Sequence, residues 1–310
     1  MINTGVRLSL LDRSRTRAGE TAAETLRGTV ARAARAERLG YHRFWVAEHH
    51  GVPGIAGAAP AVLLTAVAGA TSTIRLGSAG VMLPHHQPLV VAEQFATLSA
   101  FAPGRVDLGL GRSPGFTAPV RRALREPGGD FAADLAELRD YLAGAAEITA
   151  HPRPDGPLPL YVLATGTGVR IAARLGLPVI VGGPLLRAGG EQALEDYRRT
   201  FVPSAQQAEP WVAIGVDVLV ADTGTEAADL ALPEAWALAR SRATGEFPPL
   251  GPVAAVRAAA RTPRQQQHLD EAAAATVAGP PEVVERRLAG LLGGSLTLHS
   301  TPGEGSTFTL

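Results

Sequence analysis

The sequence predicts an α/β fold, a (β/α)₈ TIM barrel built as one domain over residues 1–310. Short apolar runs alternate with segments whose apolar residues recur at helical spacing, and the alternation repeats seven times. No Gly-x-Gly-x-x-Gly follows the first strand, which argues against an open dinucleotide-binding sheet. A barrel of 310 residues folds as one unit that buries roughly 75% of its unfolded surface.

Taken in order, the first unit is a strand over 6–11, a loop through Asp12, Arg13 and Ser14, and a helix over 21–39. Leu26, Val30, Ala33 and Ala34 set its helical period, and Gly40 stands where a C-cap belongs. The second has a strand from Phe44, a Gly/Pro-rich loop over 51–57 that looks long and mobile, and a helix over 59–70. The third has a strand over 74–81, a turn through His85 and His86, and a helix over 89–100. The fourth strand, 105–112, ends on Gly111 and Arg112, and its helix covers 131–143. A Pro-rich connector leads to a strand over 160–164, the small-residue loop Thr165-Gly166-Thr167-Gly168, and a helix to Leu175. A sixth strand over 178–181, a helix over 191–201, a long seventh strand over 211–220 and a helix from Thr225 follow. Residues 244–275 are punctuated by Pro and Gln, and a last helix covers 280–292, with Pro in its tolerated first turn. Residues 295–300 fall where the eighth barrel strand is due, inside an atypical tail over 292–310 that reads as two alternating strands around a Pro-Gly turn, a closing strand or hairpin.

Composition narrows the partners. Lys+Arg and Asp+Glu both count 29, so no electrostatic footprint for nucleic acid or an anionic membrane exists. A small organic molecule is the expected partner. Every basic residue is Arg, which removes lysine chemistry, and the absence of Cys removes disulfides and thiolates. No apolar run reaches the ~20 residues of a membrane span, no signal core follows the start, and a cytoplasmic location is expected.

The chemistry is expected where Phe44-Trp45-Val46-Ala47 stops on Glu48-His49-His50, because parallel α/β folds gather reactive groups at strand C-terminal ends. The plain alternative is one packed and one solvated His. Arg112 offers a fork for phosphate, and the N–H groups of Gly166, Thr167, Gly168 and Val169 open a helix, a favourable place for an anion. Metal binding by His49, His50, His85 and His86 is the competing reading. It is disfavoured because neighbours on a strand point to opposite faces, so no metal is expected. No Gly-x-Ser-x-Gly elbow supports a serine hydrolase.

These residues resemble the bacterial-luciferase-like flavin monooxygenases. The resemblance runs from about Leu8 to Leu292 and is carried by the stretches 39–50, 76–84, 93–98, 104–112 and 172–178. It implies a barrel that takes reduced FMN from a separate NAD(P)H:flavin reductase and uses dioxygen, through a flavin hydroperoxide, to hydroxylate or epoxidise a bulky organic substrate. Natural-product tailoring, such as polyketide oxidation, is the expected setting, and a homodimer through the helices of units two and three the expected assembly. The resemblance makes His49 the acid/base, with Glu48 and His50 orienting it, and Arg112 with Thr165, Gly166 and Thr167 the phosphate site. It also implies a non-proline cis peptide at Ala79-Gly80 under the flavin. Gly111 stands where the family has a cysteine, so no thiol takes part. Alternatives on the same barrel are a deazaflavin-dependent oxidoreductase and a non-catalytic flavin-binding protein. The tail over 293–310 resembles the end of a histidine-kinase ATPase domain, but no nucleotide-binding segment precedes it and ATP binding is not expected.

Overall fold

The computed structural model describes residues 7–125, 129–164, 166–182, 190–292, 297–301 and 305–309, with backbone alone from 292 onward. Strands β1 (Ser9–Asp12), β2 (Arg43–Val46), β3 (Arg75–Met82), β4 (Val106–Gly111), β5 (Leu160–Ala164), β6 (Val179–Gly182) and β7 (Val212–Gly215) form one parallel sheet in sequence order. Between them lie α1 (Ala22–Arg38), α2 (Pro60–Ala68), α3 (Pro88–Phe101), α4 (Ala118–Ala123), α5 (Phe131–Ala143), α6 (Gly168–Leu175) and α7 (Gly190–Thr200). Next come β8 (Val218–Val220), α8 (Gly224–Thr244), α9 (Val253–Ala258), α10 (Pro263–Ala275), β9 (Val277–Gly279) and α11 (Pro281–Leu292). The result is a nearly closed TIM barrel.

Local chemistry explains the elements. Thr21 and Glu24 form a capping box at the start of α1, each side chain bonding the other's backbone N–H. All four residues of β2 are buried. Phe44 and Val46 face the helices and pack with Leu64, Leu76 and Phe95, while Trp45 alternates into the barrel beside Ala79 and Tyr161. Trp45 needs Gly77 as its neighbour, since a Cβ there would stand 2.1 Å from the indole.

Asp107, fully buried in β4, is the anchor of the barrel interior. Its carboxylate takes Arg43 Nε at 2.8 Å and Arg75 Nη2 at 2.7 Å, and Arg43 Nη2 donates on to the Tyr161 hydroxyl at 2.8 Å. Four adjacent strands are thereby tied together by one satisfied ionic network.

Two expectations are corrected. The seventh strand is broken between Gly215 and Val218, because the chain changes partner there: β7 pairs with β6 and β8 with β9. The eighth barrel position is filled by β9 and not by 295–300. Val277 N–H donates to Asp217 C=O at 2.8 Å, and Val277 packs with Leu8, Val218 and Val284. Residues Ser295 and Leu296 lie outside the described residues. The tail forms an antiparallel hairpin, β10 (Thr297–Thr301) with β11 (Gly305–Thr309), as its two alternating segments predict. Among the described residues no helix is long and apolar enough to cross a membrane.

Candidate active site

Each parallel strand delivers its C-terminal end to the same face of the barrel, and the polar residues gather there. Glu48, buried just past β2, accepts the Met82 N–H at 2.8 Å through one oxygen. Its other oxygen meets His50 Nε2 at 2.6 Å and His86 Nε2 at 2.8 Å. A carboxylate accepts only, so both imidazoles donate from Nε2. Burial pushes the Glu48 carboxyl up, but the bonds from His86, Met82 and His50 outweigh it and the net direction is down. Glu48, His50 and His86 are all metal-ligand types. Their direct contacts are hydrogen bonds, whereas ligands around an ion at ~2.0–2.2 Å stand about 3 Å apart or more.

Among the described residues neither Glu48 nor His50 hydrogen-bonds His49. Glu48 and His50 bond each other, and His49 packs elsewhere. Its N–H is held by Gly57 C=O at 2.9 Å. Its ring stacks on Phe116, centroids 5.7 Å apart and planes 12° from parallel, and Nδ1 is buried without a partner. Burial lowers its pKa to about 4, helped by Arg13, Arg15 and His50 and opposed by Glu48. His49 is therefore a neutral imidazole near pH 7.

The loop over 51–57 is strapped down, contrary to the mobile loop its composition suggested. Thr16 N–H bonds Gly54 C=O at 3.0 Å, Gly54 N–H bonds Phe247 C=O at 2.8 Å, and Ala56 N–H bonds Ser14 C=O at 2.9 Å. Val52 and Ile55 are buried against Phe247.

Beyond β4, Arg112 Nη2 donates to the Thr167 hydroxyl, so two predicted phosphate residues do meet. Gly166 takes a left-handed φ of +87° and Gly168 opens α6, whose first turn has no side-chain cap. Thr165 lies outside the described residues. Ala79-Gly80 is a cis peptide within β3, as expected. Sequence reasoning gave His86 only the disfavoured metal role and missed Phe116. The signal for Phe116 was a large aromatic in the short loop after β4. A separate cavity of ≈ 420 Å³ lined by Arg257, Arg261, Leu269 and Arg287 shares no residue with this group.

Fold and site together define a parallel α/β barrel with an imidazole-centred site at the strand C-terminal ends. The chain belongs to the luciferase-like monooxygenase family, whose model matches residues 6–296. It is 39% identical over 260 residues to a luciferase-like monooxygenase of Escherichia coli K12, covering 80% of this chain and 77% of that one. It is 42% identical over 219 residues to N-acetyl-S-alkylcysteine monooxygenase of Bacillus subtilis, covering 66% and 65%. Among solved structures, apo-MsnO8 is similar with a TM-score of 0.80 and 33% identity, covering 93% and 89%. The fold is shared at 16% identity with the FMN-bound oxygenating constituent of 3,6-diketocamphane monooxygenase from Pseudomonas putida (TM-score 0.66, covering 95% and 89%). It is shared equally with an F420-dependent secondary alcohol dehydrogenase (TM-score 0.65, 16% identity, covering 93% and 90%).

Proposed function

We propose that this chain is a flavin-dependent monooxygenase that takes reduced FMN from a separate flavin reductase and uses dioxygen to hydroxylate or epoxidise a bulky organic molecule. The observation that carries this reading is the joint placement, at one end of the barrel, of a neutral His49 and the Arg112–Thr167 donor pair.

The residues fit a phosphorylated flavin. At the start of α6 the Val169 and Arg170 N–H groups bond the Gly166 and Thr167 carbonyls, which leaves the Gly168 N–H beside the Arg112 guanidinium and the Thr167 hydroxyl, donors of the kind that a phosphate takes. Arg112, Thr167, Gly166 and Gly168 would hold the phosphate, with Thr165 beside them, and Ala79-Gly80 would lie against the ring system. Bound reduced flavin supplies two electrons to dioxygen. His49 holds or moves a proton at Nε2, the ring nitrogen that is not walled in, and Glu48 fixes the surrounding turn through His50, His86 and Met82. Phe116, exposed and backed by the buried Phe247, gives this end an apolar surface suited to a natural-product substrate such as a polyketide. The names of the relatives support oxygenation of an organic molecule.

A homodimer is part of this reading. Helix α2 carries no charged residue, and Val62 on α2 and Phe101 on α3 are 73% and 66% exposed. The function is tested by oxygen uptake and product mass when the protein, reduced FMN and a panel of apolar organic substrates are mixed. Uptake coupled to a product heavier by one oxygen atom supports it. A product changed only by hydride transfer, with reduced deazaflavin and without oxygen, replaces it with the dehydrogenase reading.

A further inference from the structure

We propose that Phe116 is the positioning residue of His49, holding the imidazole by a near-parallel, offset stack and shielding one face of the ring from water. The proposal rests on the reading of His49 as the acid/base. Among the described residues neither ring nitrogen of His49 has a hydrogen-bond partner, so apart from its backbone bond to Gly57 the stack is the specific contact that orients the ring. The usual device, a carboxylate or carbonyl on the second nitrogen, is absent here because Glu48 is spent on His50, His86 and Met82.

Phe116 is placed to do this because its loop is pinned on both sides. Arg112 bonds Thr167, Ser113 C=O meets His85 Nε2 at 3.2 Å, and Arg121 Nη1 donates to the carbonyls of Gly115 and Phe116 at 3.1 and 3.2 Å. Gly115 turns the chain with φ +96°. The ring is backed by Phe247, edge-on at 5.0 Å, and Arg15 lies over Phe247 at 5.4 Å. The charged or titratable groups that act on His49 are Arg13 and Arg15 from the loop after β1, and Glu48 and His50 from the end of β2. None of them changes when Phe116 is replaced, so a change in the titration of His49 reports the loss of the ring. With 39% of Phe116 exposed, its remaining surface is open to a ligand.

The test is side-chain NMR titration of the histidines in the cofactor-free protein, with His49→Ala assigning the resonance. In Phe116→Ala the His49 midpoint is expected to rise from about 4 by about one unit or more toward the ordinary 6.5, and in Phe116→Tyr to stay in place. The acid limb of the kcat profile should move with it, with kcat falling more than KM changes. Phe116→Leu, which keeps apolar bulk, takes the place of the alanine variant if that one does not fold. An unchanged midpoint in a folded Ala or Leu variant overturns the proposal. Wild-type turnover by His49→Ala would overturn the acid/base reading instead, while the titration would still decide the role of Phe116.

Discussion

Glu48 reaches His86 across 38 positions of sequence and accepts its Nε2–H at 2.8 Å, clamping the end of β2 to the turn after β3. The same carboxylate holds His50 and Met82, so one buried anion organises two of the loops that frame the site. Glu48→Gln exchanges an acceptor of three bonds for a group with one carbonyl oxygen. The expected result is a loss of turnover with the fold retained, read by circular dichroism alongside steady-state kinetics.

His49→Ala should retain FMN binding and lose more than about tenfold in turnover, in line with the ~10²–10⁴-fold that a positioned acid/base contributes. Binding is followed by flavin fluorescence and turnover by oxygen uptake.

Arg112→Ala should weaken FMN by about tenfold or more and riboflavin much less, because a charge-assisted bond to phosphate is worth ~1.5–3 kcal/mol. Equal weakening of the two flavins would move the phosphate elsewhere.

Asp107→Ala leaves the buried Arg43 and the half-buried Arg75 without their counter-ion. A loss of about 3–5 kcal/mol is expected in urea unfolding.

Glu37 accepts the N–H groups of Ser72, Thr73 and Ile74 at 2.8, 2.6 and 2.9 Å. Burial raises its pKa, but these bonds prevail and hold it at about 2, below the ordinary 4.5. Its folded pKa is depressed, so the stability it adds is complete above pH 4.5 and is lost as pH falls through 2. Glu37→Gln should lower Tm at pH 7, with the deficit from wild type shrinking between pH 4.5 and 2.

Light scattering after gel filtration should give about twice the 32.1 kDa chain mass, and Val62→Asp should halve it.

Most of the barrel was legible because its strands are short apolar runs separated by helices, and α5 and β5 fall at their expected bounds. The errors have local causes. Val277–Gly279 is too short to show a period, and Pro280 drew attention to the helix after it. Helix α10 was legible in Thr262, Pro263 and Gln265, a capping box with Pro in the first turn, and was passed over for its Gln-rich interior. The break at Val216 and Asp217 depends on a partner strand about 60 residues away, which no local pattern encodes. In the site, the strand-end motif led to His49 and Arg112, but the partners of Glu48 and the stack on Phe116 are tertiary facts. The resemblance grouped Glu48, His49 and His50 as one cooperating set, whereas Glu48 bonds His50 and His49 stacks on Phe116.

The most direct test of the flavin assignment is anaerobic titration of the protein with reduced FMN, reduced riboflavin and reduced F420, followed by mixing the FMN complex with oxygenated buffer. The account predicts tightest binding of reduced FMN, loss of that preference in Arg112→Ala, and rapid oxygen consumption on mixing. Tight binding of reduced F420 with none of reduced FMN would contradict it.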